Sequence, residues 1–322
     1  MSNADMQTGI REEAARLLAE GRVDAVVGFE EGSLPMRAAP CFVSDPDGAD
    51  RLVWNAFCSN NLSRYLRGSD RRLGVVAKGC DTRSIVELIK ERQVARDSVV
   101  VIGVPCRGMA DPRLLSDKAG PGRITSVEEA GDDLVISANG GTITVRLDEV
   151  LHRSCAVCVR RNPVLSDVLV GEGVPERPGD SFGDVAELSS RDAGDRWEHF
   201  SDEMSRCIRC YACRSACPMC YCTRCFVDDT GPRWVGRGTG VGDVLSFHLM
   251  RVMHLAGRCV ECGACERACP MDIDLAALNR KSCADVERLF GYRAGLSPDA
   301  PAPLSAFDPG DPQDFMLEPG QG

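Results

Sequence analysis

The first part of the chain alternates between apolar residues at helical spacing and short continuous apolar runs. A predicted amphipathic helix near the N terminus has its apolar positions at Ile10, Ala14, Leu17 and Leu18. It leads through Gly21 into an apolar run over 23–27, and a second short helix is predicted around 60–66.

The next segment repeats this alternation more regularly. Apolar runs over 73–77 and 99–102 predict two buried strands, and the spacing over 84–94 predicts a helix between them. Ser84 and Glu87 have the spacing of a capping box, which predicts that this helix begins near Ser84. Strand, helix and strand with continuous apolar strands are typical of a parallel βαβ unit.

Further along, the periodicity changes twice. Runs over 134–137 and 142–145, joined through Asn139, Gly140 and Gly141, predict a β-hairpin. The stretch 171–194 is rich in Gly, Pro and acidic residues and predicts a connector. Residues 297–322 contain six Pro and no Lys or Arg, which predicts an extended tail that is disordered or lies along a partner subunit.

Length and cysteine content add a domain division. At 322 residues the chain suggests two domains, and eleven of its 18 Cys lie between Cys207 and Cys269. The sequence predicts an α/β front domain with a mainly parallel sheet over 1–175, a connector over 176–200, a ferredoxin-like iron-sulfur domain with a helical insertion over 201–296, and the tail.

Charge and composition exclude several classes of protein. A formal net charge of −10 and 5% aromatic residues argue against a nucleic-acid partner. The sequence has neither a long apolar run nor a signal-like start, so we expect a cytoplasmic protein without membrane insertion. In that reducing compartment, clustered thiols are metal ligands or redox centres more often than disulfides.

The chemistry is concentrated in a doubled cysteine motif with the two-cluster ferredoxin spacing. Its members are Cys207, Cys210, Cys213 and Cys217, followed by Pro218, and Cys259, Cys262, Cys265 and Cys269, followed by Pro270. In this pattern three thiolates of one motif bind a 4Fe-4S cluster together with the fourth cysteine of the other motif. We therefore expect two clusters, with Cys217 and Cys269 exchanged. Structural zinc, the alternative, does not need the doubled Cys-x3-Cys-Pro pattern.

Additional thiols lie between the two motifs and upstream of them. Cys220, Cys222 and Cys225 follow the first motif directly, and the pair Cys155 and Cys158 lies before the connector. We expect the upstream pair to share a third metal site with two of the downstream thiols, as a 4Fe-4S cluster or, alternatively, zinc. Cys225 is the preferred downstream ligand, while Cys220 and Cys222 compete. The remaining Cys41, Cys58 and Cys283 are expected to be small buried hydrophobic residues.

A helix is also predicted between the motifs. Its range is 241–256, with an apolar face that includes Val244, Leu245, Leu249, Val252 and Met253. His248 lies on this face and is expected to be a core residue rather than a ligand.

Several segments of the front domain resemble the beta-subunit family of deazaflavin-reducing hydrogenases and formate dehydrogenases. They are Gly21-Arg-Val-Asp-Ala-Val-Val27, Val75-Val-Ala-Lys-Gly-Cys-Asp81, Ile102-Gly-Val-Pro-Cys106, Arg153-Ser-Cys-Ala-Val-Cys158 and Ser166-Asp-Val-Leu-Val-Gly171. The resemblance covers roughly residues 10–175. It implies FAD on the front domain, hydride transfer to a deazaflavin, and a complex of several subunits.

A candidate cofactor loop lies in the resembling region. Lys78, Gly79, Cys80, Asp81 and Arg83 follow a predicted strand, where open α/β sheets bind ligands, and two of them add positive charge. The family's early Ser-Gly-Gly segment would fall near residues 7–9, where this sequence has only one Gly.

Two functions follow from these observations, and a zinc-stabilised scaffold is a third alternative. The first is an electron-transfer subunit of a formate dehydrogenase, hydrogenase or heterodisulfide reductase type of complex, working with other redox subunits through two or three 4Fe-4S clusters. The second is a flavin-containing subunit that passes hydride between FAD and a soluble carrier such as deazaflavin.

Overall fold

The computed structural model describes residues 2–177 and 182–303 of the chain. The strands are β1 Ala25–Glu31, β2 Ala38–Val43, β3 Leu73–Ala77, β4 Val99–Gly103, β5 Ile124–Ala130, β6 Asp133–Ala138, β7 Gly141–Arg146 and β8 Val168–Leu169. The helices are α1 Asn3–Ala19, α2 Gly79–Lys90, α3 Pro112–Ala119, α4 Arg153–Ala156, α5 Gly183–Ser190, α6 Ala193–Ser205, α7 Ala212–Ala216, α8 Val241–Leu255, α9 Ala264–Arg267 and α10 Leu275–Phe290.

A five-stranded, mainly parallel sheet forms the centre of the front part. Its order is β2-β1-β3-β4-β8, and only β2 is antiparallel to its neighbour. The predicted parallel pairing of the 73–77 and 99–102 runs is confirmed, with Val75 opposite Val101. Both strands are almost fully buried, as expected for a sheet covered on two faces. The edge strands β2 and β8 were not predicted.

The helix that follows β3 begins five residues earlier than the capping pattern predicts. Its N-cap is Lys78, whose backbone N–H donates to the Asp81 carboxylate at 2.9 Å. The predicted start at Ser84 is therefore wrong: the Ser84 hydroxyl donates to the Cys80 carbonyl inside the helix. The local signal failed because Asp81 caps the helix one turn earlier, directly at the end of the strand.

The predicted hairpin is confirmed as part of a separate three-stranded antiparallel sheet. Strands β5, β6 and β7 are adjacent in that order, and Ile136 of β6 pairs with Ile143 of β7. Asn139 and Gly140 both have left-handed backbone conformations, which is what a tight hairpin turn requires.

The C-terminal part is helical and packs against the front sheet. Where the sequence predicts a connector, α5 and α6 are present, separated from the front part by the undescribed residues 178–181. The C-terminal part closes on α2: the Tyr292 hydroxyl and the Gly295 N–H donate to the buried Glu87 carboxylate, at 2.7 and 2.6 Å. Of the predicted tail, residues 304–322 lie outside the described range.

The helix predicted between the two cysteine motifs is present as α8, but its buried face is shifted. Val244, Leu245 and Val252 are buried as expected, whereas Leu249 and Met253 are exposed. Phe247 and Arg251 take their places, and His248 is buried as expected; all three are nearly inaccessible to solvent. The face therefore buries Arg251, which hydrophobicity alone would assign to the surface.

In the described ranges, no helix is both long and apolar enough to cross a membrane.

Candidate iron-sulfur centre

Thiols from two strand ends and from α4 meet in a small cavity. Cys80 lies in the first turn of α2, directly after β3, and Cys106 lies three residues after β4. Both line a cavity of about 40 Å³ together with Cys155 and Cys158, and Cys262 of the second cysteine motif lies in its wall as well. Because β3 and β4 are parallel neighbours, their carboxyl ends bring Cys80 and Cys106 to the same edge of the sheet. We call Cys80, Cys106, Cys155 and Cys158 the third thiol group.

The electrostatics of the third thiol group reflect close packing of its members. Burial, with smaller contributions from the charges of Cys155 and Cys158, raises the pKa of Cys106 to about 12. Burial also raises the pKa of Cys80 well above its usual range, with an added contribution from Cys106. Lys78 acts on Cys80 and Cys106 in the opposite direction.

The doubled motif provides two further groups, in each of which the fourth cysteine of one motif lies near thiols of the other. The first thiol group is Cys207, Cys210, Cys213 and Cys269, and the second is Cys217, Cys259, Cys262 and Cys265. Among the causes that raise the pKa of Cys207 are the nearby Cys269 and Cys210, after burial. Burial and the charge of Cys217 raise the pKa of Cys262 to about 11, and Cys217 acts likewise on Cys265. Cys217 and Cys269 thus lie beside the opposite motif, as the spacing predicts.

The two motifs also share an unusual backbone conformation. Arg209 and Tyr211 in the first motif, and Glu261 and Gly263 in the second, occupy equivalent positions and all have left-handed conformations. This turn directs the Arg209 N–H at the Cys207 sulfur at 3.4 Å, and a backbone N–H of Glu261 likewise stabilises the Cys259 thiolate. Non-glycine residues adopt this conformation only where the surrounding structure imposes it. Peptide N–H groups aimed at sulfur are what an iron-sulfur cluster requires of its loop.

The predicted partnership between the upstream pair and the thiols after the first motif is not seen in the arrangement of side chains. Cys220, Cys222 and Cys225 line a separate cavity of about 210 Å³ that includes neither Cys155 nor Cys158. Cys220 contacts Cys217, whose thiol lowers the pKa of Cys220 to about 7. Cys80 and Cys106, at the edge of the sheet, lie beside Cys155 and Cys158, where two of the thiols that follow the first motif were expected.

Two side chains of α8 face the thiols. The His248 Nε2 lies 3.4 Å from the Cys207 sulfur, and burial lowers its pKa to about 4. The Arg251 side chain is buried beside Cys213, Cys217, Cys220 and Cys265, and its Nε and Nη1 have no hydrogen-bond partner. Unpartnered buried N–H groups of a cation beside four thiols fit an anionic group at this place.

No three His, Cys, Asp or Glu side chains converge on a single-ion site in the described ranges. A 4Fe-4S cluster binds each thiolate at a different iron, so its ligands do not converge on one point.

The predicted cofactor loop serves mainly internal contacts. Lys78 is almost inaccessible, and its Nζ contacts the Asp81 carboxylate and the Asn60 carbonyl, both at 2.9 Å. Arg83 donates to the Ala294 carbonyl at 2.9 Å, and Gly79 approaches the Arg160 carbonyl so closely that a Cβ would lie 2.6 Å from it. Of the five residues, Lys78, Gly79 and Cys80 line the thiol cavity.

A larger cavity lies between the front sheet and the first thiol group. Its volume is about 740 Å³, and its walls include Arg37, Phe57, Arg64, Tyr65, Arg113, His152, Arg267, Cys269 and Pro270. Volumes of this size are typical of small-molecule and cofactor sites. None of the five predicted cofactor residues is among those that line it.

Sequence spacing missed Cys80 and Cys106 as partners of Cys155 and Cys158. Each of the missed thiols stands alone, without a second cysteine within four residues. The usable signal is their position: each follows a predicted parallel strand within four residues, and such strand ends meet at one edge.

Two family models match the chain, over separate ranges. Residues 70–189 match the family that describes the C terminus of the beta subunit of coenzyme F420 hydrogenase/dehydrogenase, and residues 203–273 match the 4Fe-4S dicluster domain. The first range contains the third thiol group, and the second contains the other two.

Curated relatives align along most of the chain. An F420-dependent formate dehydrogenase subunit beta of Methanocaldococcus jannaschii is 24% identical, over 88% of this chain and 90% of its own length. An F420-dependent formate dehydrogenase 1 subunit beta of Methanococcus maripaludis is 25% identical, over 91% and 92%. A chain of the F420-reducing [NiFe] hydrogenase complex from Methanosarcina barkeri is 16% identical, with a TM-score of 0.37 over 50% of this chain and 64% of its own.

The thiols at the sheet edge thus lie in the first matched range, and the doubled cysteine motif lies in the second. The chain joins a segment of the C-terminal family of coenzyme F420 hydrogenase/dehydrogenase beta subunits to a 4Fe-4S dicluster domain.

Proposed function

We propose that this chain is the electron-transfer subunit of a multi-subunit oxidoreductase and that its three thiol groups hold three 4Fe-4S clusters. The observation that carries the proposal is that the second thiol group lies next to both of the others. Cys80 of the third group lies beside Cys262 of the second in the wall of one cavity, and Cys265 of the second is close enough to Cys213 of the first for their charges to interact. Clusters bound there supply one-electron transfer, and the chain supplies their placement.

In the first and second groups, the proposed ligands follow the crossed pattern. Cys269 completes the site of Cys207, Cys210 and Cys213, and Cys217 completes the site of the second motif. The neighbouring charges described above support this assignment. We also propose that residues 201–296 form a ferredoxin-like module into which α8 is inserted, with the front domain over 1–175.

For the third cluster, the proposed ligands are Cys155 and Cys158 together with Cys80 and Cys106. Five thiols line this small cavity; Cys262 is already assigned to the second group, and the other four match the four ligands of a cube. This replaces the expectation that two of Cys220, Cys222 and Cys225 complete the site.

A flavin function is the second candidate, and the 740 Å³ cavity favours it. Arg37 and Arg64 offer guanidinium groups suited to a pyrophosphate, and Phe57 and Tyr65 offer aromatic surface. The cavity reaches Cys269 of the first thiol group, which would place a bound FAD beside a cluster ligand. FAD converts between one-electron and two-electron carriers, which fits the F420 dependence named for the relatives.

The partners follow from the same reasoning. A chain with clusters and a flavin needs a donor subunit, and the relatives' names make a formate-oxidising subunit the candidate. The deazaflavin F420 is the corresponding soluble acceptor.

Iron content tests the proposed function directly. Protein purified without oxygen should contain about twelve irons per chain, because each cube holds four irons. About eight irons would remove the third cluster, and zinc in place of iron would contradict the whole proposal.

Flavin content is measured on the same sample. We expect about one FAD per chain, and Arg64→Gln should weaken its retention while the iron content stays unchanged. Wild-type protein with full iron that does not bind added FAD would contradict the flavin function and leave the relay intact.

A further inference from the structure

A buried guanidinium lies where the first and second thiol groups meet. Arg251 of α8 is only 3% exposed, and the neighbouring charges with the largest effect on it are all thiolates: Cys265, Cys217, Cys220 and Cys213. Cys213 belongs to the first group, while Cys217 and Cys265 belong to the second. Arg251 therefore faces both groups at once.

The hydrogen bonds of Arg251 leave most of its charge uncompensated. One nitrogen, Nη2, donates to the Cys213 carbonyl at 3.3 Å, while Nε and Nη1 are buried without a partner. Arg280 provides the contrast: it is equally buried, but it pairs with the carboxylates of Asp184 and Glu261 at 2.7 Å. A buried cation without a carboxylate is costly unless an anion faces it.

A second guanidinium lies where the second and third groups meet. Among the charges that act on Arg267 are Cys262 and Cys265 of the second group and Cys80 and Cys155 of the third. Its nitrogens are fixed by the carbonyls of Cys262 at 2.8 Å and Ser59 at 2.7 Å. The three groups thus meet at two junctions, and a buried arginine lies at each: Arg251 at one and Arg267 at the other.

A cation at a junction affects the reduction of the clusters on either side. Adding an electron makes a cluster more negative, and a nearby fixed positive charge stabilises that form, most strongly where water is excluded. The second group is flanked by both arginines, so its cluster is subject to both charges.

We propose that Arg251 and Arg267 are positioning residues of the electron relay, which raise the reduction potentials of the clusters on both sides of their junctions. The inference rests on the proposed function. The arginines act through their charge: each step passes one electron between neighbouring clusters, and no bond is formed or broken.

The test is a redox titration, followed by EPR, of the full chain purified without oxygen. Arg251→Met removes the charge and should lower the potentials of the first and second clusters, leaving the third unchanged. Arg267→Met should lower those of the second and third. We expect a change of about tenfold in each reduction equilibrium, or about 59 mV for a one-electron couple. Signals are assigned by their loss in serine variants of each thiol group.

Matched controls distinguish the effect of the charge of Arg251 and Arg267 from the effect of their side-chain shape and from the effect of the net charge of the protein. Arg251→Lys and Arg267→Lys retain the charge and should keep the wild-type potentials. Arg16→Met removes an arginine from the exposed surface of α1 and should shift no potential. Iron loss in a methionine variant that the lysine variant restores would also support the proposal, because the charge is then needed to hold the anionic site.

Two results would overturn the inference. One is unchanged potentials in both methionine variants at full iron content. The other is iron loss in the methionine and lysine variants alike, because side-chain shape rather than charge would then be responsible. Wild-type iron content, measured first, separates these results from failure of the proposed relay.

Discussion

The third thiol group and the doubled motif hold their sulfurs in physically different ways. The third group lies at the edge of a sheet whose strands are continuous with the main core, which includes Val75, Val101 and Ile102. The first and second groups lie on short helices and on turns with left-handed residues such as Arg209 and Tyr211. Among the described residues, the larger of the two cores confined to this part has nine buried residues, against 33 in the main core. We therefore expect the front scaffold to form without metal, whereas the motif turns should depend on what the thiols bind.

Iron removal should separate the two regions most strongly. Anaerobic chelation is expected to abolish hydrogen-exchange protection over 203–273, because the strained turns lose the ligand that imposes them, while β3 and β4 stay protected. Mass spectrometry of peptides from both regions measures this. Equal loss in the two regions would show that the front scaffold also depends on metal.

Paired thiol substitutions sharpen the comparison at the third group. Cys80→Ser with Cys106→Ser should lower the iron content by about four per chain, since one cube loses two ligands while its scaffold persists. The matched control is Cys222→Ser with Cys225→Ser, which should retain all the iron. The reverse pattern would return the third cluster to the thiols that follow the first motif.

The buried ion pair of Lys78 and Asp81, next to the third thiol group, tests how much a local contact stabilises the front part. Asp81→Ala leaves the Lys78 ammonium buried without its partner and should destabilise the front part by about 3–5 kcal/mol. Denaturant-dependent hydrogen exchange of β3 in the full chain measures the change. The partly exposed pair of Glu13 and Arg16 provides the control, and Glu13→Ala should cost less than about 1 kcal/mol. Unchanged stability with loss of a cofactor would instead give Asp81 a binding role.

A smaller effect is expected from pH at the wall of the large cavity. Burial lowers the pKa of His152 below its usual 6.5, even though Asp111 lies 3.3 Å away and favours the charged form. Arg113 and Arg267 oppose protonation as well. The unfolded chain therefore binds a proton more readily than the folded one, and stability should fall as pH drops from about 6.5 towards the folded pKa.

The variant His152→Gln removes the group that titrates. Its melting temperature should depend less on pH below about 6.5 than that of the wild type. Above about pH 7, the melting temperatures of the two proteins should depend on pH in the same way. Parallel curves for the two proteins would show that His152 does not contribute.

The sequence alone was sufficient wherever the governing interactions are local. Strand periodicity located 73–77 and 99–102, the Asn-Gly-Gly turn located the hairpin, and the Cys-x2-Cys spacing identified the range that matches the 4Fe-4S dicluster domain. Each of these depends on residues a few positions apart, whose geometry the backbone largely determines.

Only the tertiary structure decided which distant residues meet. Cys80 and Cys106 reach Cys155 because β3 and β4 are parallel neighbours, and no spacing rule connects strand ends that are separated by a helix. Arg251 lies on a buried face because thiols from two motifs surround it. Sheet pairing and the burial of charge depend on contacts between segments far apart in the chain, and these contacts exist only once the chain has folded.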